Sequence, residues 1–397
     1  MAELKPQDEV FRTKEDICTH LGDEYAKYMG AIVPPIFQNS LFVKPTPKNG
    51  IPDTGFAYTR VSNPTIDIAE RKIAALEGAE AAACFSSGMG AISAAIMHFI
   101  KKDCHVIAPH TIYGPTRTFL SQYLADKFGV TCTFVHGSDP EDFRKAIRPE
   151  TTLIYLESPS SMVMYMQDLK AIADIAKECG IGTVIDNSYA TPLHQNPIRY
   201  GIDLVCHTAS KYMGGHSDIV AGVIAGSAEM IGQICKNERE LYGACMDPHQ
   251  AWLLIRGLRS LPVRLRAHGE SGLKVAKWLE THPCVERVFY PGLDSYPQKE
   301  LADRYLSGTN GLISFVYKGT AAQAREFVYS LKMFQFGVSW GGFESLIVMP
   351  TVGMTEEEAA PFDVPANLIR IHVGLESVDS LIADLDQAFE ASKKITE

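Results

Sequence analysis

The chain has 397 residues, 46% of them hydrophobic and 21% charged, with a formal net charge of -10. That length exceeds one ordinary core and points to two domains sharing an interface. The acidic balance argues against nucleic acid or an anionic membrane as the main partner, and no apolar run approaches the ~20 residues of a membrane helix.

The start, Met1-Ala2-Glu3-Leu4-Lys5, has no apolar core of a signal peptide, so a cytoplasmic protein is expected. Residues 1–60 read as irregular. Pro34, Pro35, Pro45, Pro47 and Pro52 lie close together, with Gly50 and Gly55 among them. Such a segment suits an arm wrapping another surface better than a packed unit.

Residues 61–250 read as a large domain. Asn63 and Pro64 open a helix that carries Ile66, Ala69, Ile73 and Leu76 at helical spacing, and Gly78 stops it. A strand over 81–85 leads into Ser86-Ser87-Gly88-Met89-Gly90, and a second helix follows through Ile92 and Ile96. Leu153 to Leu156 is a buried-strand pattern ending at Glu157. Asp168 caps a helix closed by Gly180, and Thr183 to Ile185 is a strand ending at Asp186. Leu204 to Cys206 is another strand, shortly before Lys211. Strands alternating with helices, with polar residues at the strand carboxyl ends, describe an open α/β sheet and its crevice.

Residues 251–397 read as a smaller α+β domain. Ala251 to Leu261 is expected to be one helix and Val263 to Thr281 another, divided at Pro262. Strands at 313–316 and 368–371 follow, then an amphipathic helix near 378–389. The nine cysteines are scattered without a C-x-x-C pair and read as reduced, mostly core residues. The twelve histidines lack metal-ligand spacing, so no metal site is expected.

One constellation carries chemistry. Lys211 lies among Thr208, Ala209 and Ser210, downstream of a strand that ends in Asp186. Pyridoxal phosphate (PLP) needs such parts: an amine for its aldehyde, hydroxyls for its phosphate, and an acid for its ring nitrogen. Ser87, Gly88 and Met89 lie at a strand-to-helix turn, where exposed N–H groups cradle phosphate. Arg370, within Leu-Ile-Arg-Ile-His, suits a substrate carboxylate. Tyr113 offers a flat ring to a cofactor, and Tyr58 and Arg60 offer a hydroxyl and a charge from the arm. Each has a plain alternative: a surface lysine, an N-cap, a tight turn, a structural ion pair, local packing, a solvated arm. The conjunction of all of them favours a PLP site.

The chain resembles the Cys/Met-metabolism group of PLP enzymes, the cystathionine γ-synthase-like family, nearly end to end. The marks are Y-T-R-V-S-N-P-T from Tyr58, F-S-S-G-M from Phe85, Tyr113-Gly114, E-S-P from Glu157, D-N-S-Y-A-T-P from Asp186, S-K-Y-M-G-G-H-S-D from Ser210, L-I-R-G-L from Leu254, Y-P-G-L from Tyr290 and R-I-H-V-G-L-E from Arg370. The resemblance implies fold type I, the aspartate-aminotransferase-like fold: a mostly parallel seven-stranded sheet in the large domain, then the smaller α+β domain. It implies a homotetramer, a dimer of dimers with active sites shared across each dimer. It places PLP on Lys211, with Asp186 at the ring nitrogen and Tyr113 over the ring. Gly88, Met89, Thr208 and Ser210 would hold the phosphate, joined by Tyr58 and Arg60 of the neighbouring subunit. Arg370 would bind the substrate α-carboxylate, and Ser339 would help position the lysine.

Within the family, many γ-acting members read E-x-P-x-N-P where this chain has Ser161 and Met162, and many carry leucine where it has Trp340. The pieces E-S-P-S-S, S-W-G-G-F-E-S-L-I and G-T-N-G-L-I-S-F look like bacterial cystathionine β-lyase. The expected activity is therefore a carbon–sulfur β-lyase converting cystathionine to homocysteine, pyruvate and ammonia. Alternatives are a γ-lyase or γ-synthase, a cystine or S-alkylcysteine lyase, and a PLP-binding regulator. Trp340 and Phe343 are candidates for the far end of the substrate; a packing role serves both equally well.

Overall fold

A computed structural model describes residues 11 and 13–395. The reading of the first five residues, and of most of the arm's first twelve, falls outside that range. Seven strands form the first sheet: β1 (Ala81–Phe85), β2 (His105–Pro109), β3 (Thr131–Val135), β4 (Thr151–Glu157), β5 (Gly182–Asp186), β6 (Leu204–His207) and β7 (Gly222–Gly226), in the order β1-β7-β6-β5-β4-β2-β3. Strands β2 to β6 pair in parallel, and β7 runs antiparallel to both β6 and β1.

Parallel strands are covered on both faces, so they read as near-continuous apolar runs. Alternate side chains serve opposite faces. Tyr155, Val184 and Cys206 pack with Ile92 and Ile96 of the helix Gly88–Phe99. Ile154, Leu156, Ile185 and Val205 pack with Leu169 and Ile172 of the helix Leu169–Cys179. The register aligns the strand ends, pairing Glu157 with Asp186 and Asp186 with Cys206. Three loops therefore leave the sheet side by side, and they carry the chemical residues.

A second sheet contains β8 (Val285–Phe289), β9 (Leu312–Tyr317), β10 (Gln335–Phe336), β11 (Leu346–Val348) and β12 (Leu368–His372), in the order β10-β11-β12-β9-β8. It is antiparallel except for β10 with β11. Phe315 and Phe389 share one apolar cluster with Ile154 and Ile185, so the core is continuous between the two sheets.

Two expectations are corrected. Pro262 does not divide two helices; it lies inside a single 34-residue helix, Pro248–Thr281. Proline removes one N–H, but Leu254, Leu258, Leu261 and Leu265 are all buried around it, and that packing holds the helix through the gap. The irregular reading of residues 1–60 fails at Lys14–His20, a helix opened by a Thr13/Asp16 capping box. From there to Thr59 the chain is largely without regular structure, and Met29, Ile32, Leu41 and Val43 are exposed. Among the described residues no disulfide forms: Cys18, Cys84, Cys104 and Cys206 are buried, while Cys179 is exposed.

Candidate active site

The loop after β6 carries Lys211, and four contacts shape it. Thr208 N–H donates to Ser188 Oγ at 2.6 Å. Ser210 Oγ accepts from the Ala221 N–H at 2.8 Å. Behind the loop, Arg264 donates to the Tyr212 carbonyl at 2.7 Å, and Gly257 of the long helix lies so close that a Cβ would meet the Met213 and Gly214 carbonyls at 2.5 Å. The amine projects away from this support into a cavity of about 290 Å³. Tyr113, Asp186, Thr208, Lys211, Ser339, Trp340 and Arg370 line it together with Glu157 and Ser161. Larger cavities exist, of about 690 Å³ beside His110 and Arg117 and about 520 Å³ beside His194. Neither contains the amine, so size alone does not mark the site.

Lys211 Nζ donates to Ser339 Oγ at 2.7 Å and lies 5.4 Å from the Trp340 ring centroid. Burial, and then the positive charge of Arg370, bring its pKa down to about 8, against the pull of Asp186 and Glu344. A lysine so placed holds an unprotonated fraction near neutral pH. Asp186 is buried, and its Oδ1 accepts from the Ser188 N–H at 2.9 Å. Burial raises its pKa; the Ser188 hydrogen bonds and the charges of His207 and Lys211 act against that rise. Such a carboxylate gains most from a partner that brings a proton.

Arg370 sits on β12 and is buried. Its Nη1 donates to the Ser161 carbonyl at 2.9 Å and its Nη2 to the Val338 carbonyl at 3.3 Å. No carboxylate forms an ion pair with it among the described residues. Burial brings its pKa down to about 10. A buried guanidinium held by neutral carbonyls is ready for an anion from outside.

Ser87 caps the helix Gly88–Phe99, its Oγ accepting from the Gly90 N–H at 3.0 Å, a contact worth about 1 kcal/mol. The Gly88 and Met89 N–H groups fall in the first turn, where a helix supplies no acceptor. Gly88 touches the lysine loop: a Cβ there would stand 2.3 Å from Thr208 Oγ1. The helix start and the Thr208 hydroxyl thus converge, as a phosphate cradle requires. PLP fits this donor set. Lys211 would hold its aldehyde, Asp186 its ring nitrogen, and Gly88, Met89, Thr208 and Ser210 its phosphate.

Tyr58 and Arg60 do not join this cavity. They lie on the arm, where Arg60 Nη1 donates to the Glu240 carbonyl at 3.0 Å and Tyr58 is half exposed. Sequence reasoning passed over Glu157, treating it as a strand end and a motif letter. It is buried, lines the cavity and pairs in register with Asp186. The available signal was the one that exposed Asp186: an apolar strand ending in a carboxylate.

Comparison with known proteins bears on this geometry. The chain is 40% identical over 373 residues to L-methionine gamma-lyase of Porphyromonas gingivalis, covering 91% of this chain and 93% of that protein. It is 37% identical to cystathionine gamma-lyase of Bacillus subtilis, covering 95% of this chain and 99% of that one. The crystal structure of MetB from Corynebacterium glutamicum superposes with a TM-score of 0.90 at 33% identity, over 96% of this chain and 99% of that one. The fold is therefore that of the type I PLP enzymes. The family description "Cys/Met metabolism PLP-dependent enzyme" matches residues 15–390, and with the amine and the acid lining one cavity and the helix start packed against its Thr208, the chain belongs to that PLP-dependent family.

Proposed function

We propose that this chain is a carbon–sulfur lyase of sulfur amino acids that cuts at Cβ, with cystathionine giving homocysteine, pyruvate and ammonia. The observation that carries the reading is the placement of one amine, Lys211, within a cavity that Asp186, Ser339 and Arg370 also line. Bound PLP supplies an electron sink for charge developing at Cα. Asp186 would face the ring nitrogen and favour its protonated form. Arg370 grips the α-carboxylate and turns the Cα–H bond toward Lys211, an orientation effect. Lys211 removes that proton and later protonates the departing sulfur, so one group serves as base and then acid. Ser339 Oγ holds the amine by a 2.7 Å hydrogen bond, and Tyr113 would offer its ring to the cofactor.

Cutting at Cγ requires a second proton to leave, from Cβ, and so a wider sweep of the base. Trp340 stands beside the amine, its ring centroid 5.4 Å away, and Ser161 and Met162 occupy the positions of the asparagine–proline pair common in γ-acting members. The second reading is γ-elimination. It is favoured by relatives of 36–40% identity that are named methionine γ-lyase and cystathionine γ-lyase. Identifying the keto acid released from a panel of sulfur amino acids decides the matter. Pyruvate is the expected product, 2-oxobutyrate establishes the γ reading, and no keto acid from any of them removes both. We propose further, from the family likeness and not from which bond is cut, a cytoplasmic homotetramer in which Tyr58 and Arg60 reach the phosphate of a neighbouring subunit.

Arg370→Ala is expected to lower kcat/KM about a hundredfold, mainly through KM, because a charged hydrogen-bond pair is lost. Steady-state kinetics on the preferred substrate checks this. An unchanged kcat/KM places the carboxylate elsewhere.

A further inference from the structure

Glu157 is the one carboxylate in the cavity wall besides Asp186. Both of its oxygens are engaged, and on different loops. Oε2 accepts from the Tyr113 N–H at 2.6 Å, and Oε1 accepts from the Ser161 N–H at 2.7 Å. Each loop carries a group that faces the ligand. Tyr113 opens the short helix Gly114–Thr118 without a side-chain cap of its own, so the carboxylate holds the backbone that the ring depends on. Ser161 presents its carbonyl to Arg370 Nη1 at 2.9 Å. One side chain, rooted at the end of β4, thus spans from the aromatic cover to the arginine.

We propose that Glu157 is a positioning residue: as a carboxylate it clamps the Tyr113 and Ser161 segments together and sets the spacing between the ring of Tyr113 and the guanidinium of Arg370. This rests on the reading of those two residues as cofactor and substrate contacts, and not on which carbon–sulfur bond is cut. The ionised form accepts both N–H groups most strongly; protonation makes one oxygen a weaker acceptor that carries a proton of its own. The charged groups around it come from every neighbouring segment: Asp186 on β5, Arg370 on β12 and the Tyr113 phenol across the cavity, with Tyr155 on its own strand. Burial, then the charge of Asp186, pushes its carboxyl up to about 7, against the two backbone bonds. Because the pKa is raised, the clamp forms as pH rises through that value and releases below it.

Two variants of the PLP-loaded protein test this. Glu157→Gln keeps the shape but presents an amide donor to one of the two N–H groups. Glu157→Asp keeps the charge but is shorter by about 1.5 Å and reaches only one loop. Glycine serves as a bare amino-carboxylate probe, titrated by its effect on the cofactor spectrum. Both variants are expected to bind it ten- to a hundredfold more weakly, the penalty of a misplaced orienting group. Both are expected to show an altered visible circular dichroism band, which reports the asymmetric surroundings of the cofactor. In the parent, affinity falls on the acid side as the carboxylate is protonated; in Glu157→Gln that limb disappears. Parent-like affinity and dichroism in both variants overturn the proposal. A parent-like Glu157→Asp alone also overturns it, since charge without reach would then suffice. If Glu157→Gln fails to fold, Glu157→Asp decides. A chain that binds glycine normally yet releases no keto acid removes the lyase reading and leaves this one standing.

Discussion

Lys211→Ala is expected to lower keto-acid release by at least about 10³-fold and to remove the visible absorption that reports the bond between this amine and the cofactor aldehyde. Two roles vanish together. The covalent attachment is lost, and so is the group that moves the proton, a function worth about 10²–10⁴-fold by itself. The structure makes substitution by a neighbour implausible on chemical grounds: Ser339 Oγ, at 2.7 Å, is a hydroxyl without a base behind it, and Arg370 holds its proton too firmly. PLP should still bind, because the helix start at Gly88, the Thr208 hydroxyl and Asp186 are untouched. Equilibrium dialysis with PLP separates loss of chemistry from loss of cofactor. Retained turnover in a variant that binds PLP would remove Lys211 from its assigned role.

The second large effect is expected at Asp186. Asp186→Asn preserves size and the Ser188 contact but cannot hold a proton on the ring nitrogen. Turnover is expected to fall by about a thousandfold or more, since the electron sink depends on that proton. Stability should move the other way in the cofactor-free protein. Burial raises the Asp186 pKa above its unfolded value. Its neutral form therefore favours the folded state at low pH, and that contribution is lost as pH rises through the folded pKa. Wherever the carboxylate is ionised its burial costs stability, and the amide removes that cost. The cofactor-free Asn variant should melt no lower than the parent at pH 7 while being nearly inactive. A variant with both low melting temperature and low activity would assign Asp186 a mainly structural place.

Much of this site was legible along the chain, for a definite reason. β4, β5 and β6 are short apolar runs bounded by polar residues, and the residues that end or follow them carry chemistry. Local pattern marks Asp186 and Lys211 as candidates, and only their conjunction with the other motifs singles them out. What local pattern lacks is strand order. Glu157 gains its meaning only because β4 lies beside β5 in register, a long-range fact. Arg370 is likewise brought from the second sheet to within hydrogen-bond reach of Ser161, 209 positions away in sequence. The continuity of the Pro248–Thr281 helix was hidden for a related reason. Proline is a local break signal, and the buried leucines around it are a tertiary answer to it.

That helix has a mechanical meaning. At 34 residues it is a rod of about 50 Å. Its first half packs against the helix Pro64–Glu77, its second half reaches β8 and β9, and it lacks one internal hydrogen bond where Pro262 interrupts the ladder. A rod under torque yields at its notch. Gly257 and Arg264 bracket that notch, and both press on the backbone of residues 212–214. The rod's weakest point therefore bears on the backbone beside Lys211, so that one helix ties the placing of the second sheet to the placing of that segment.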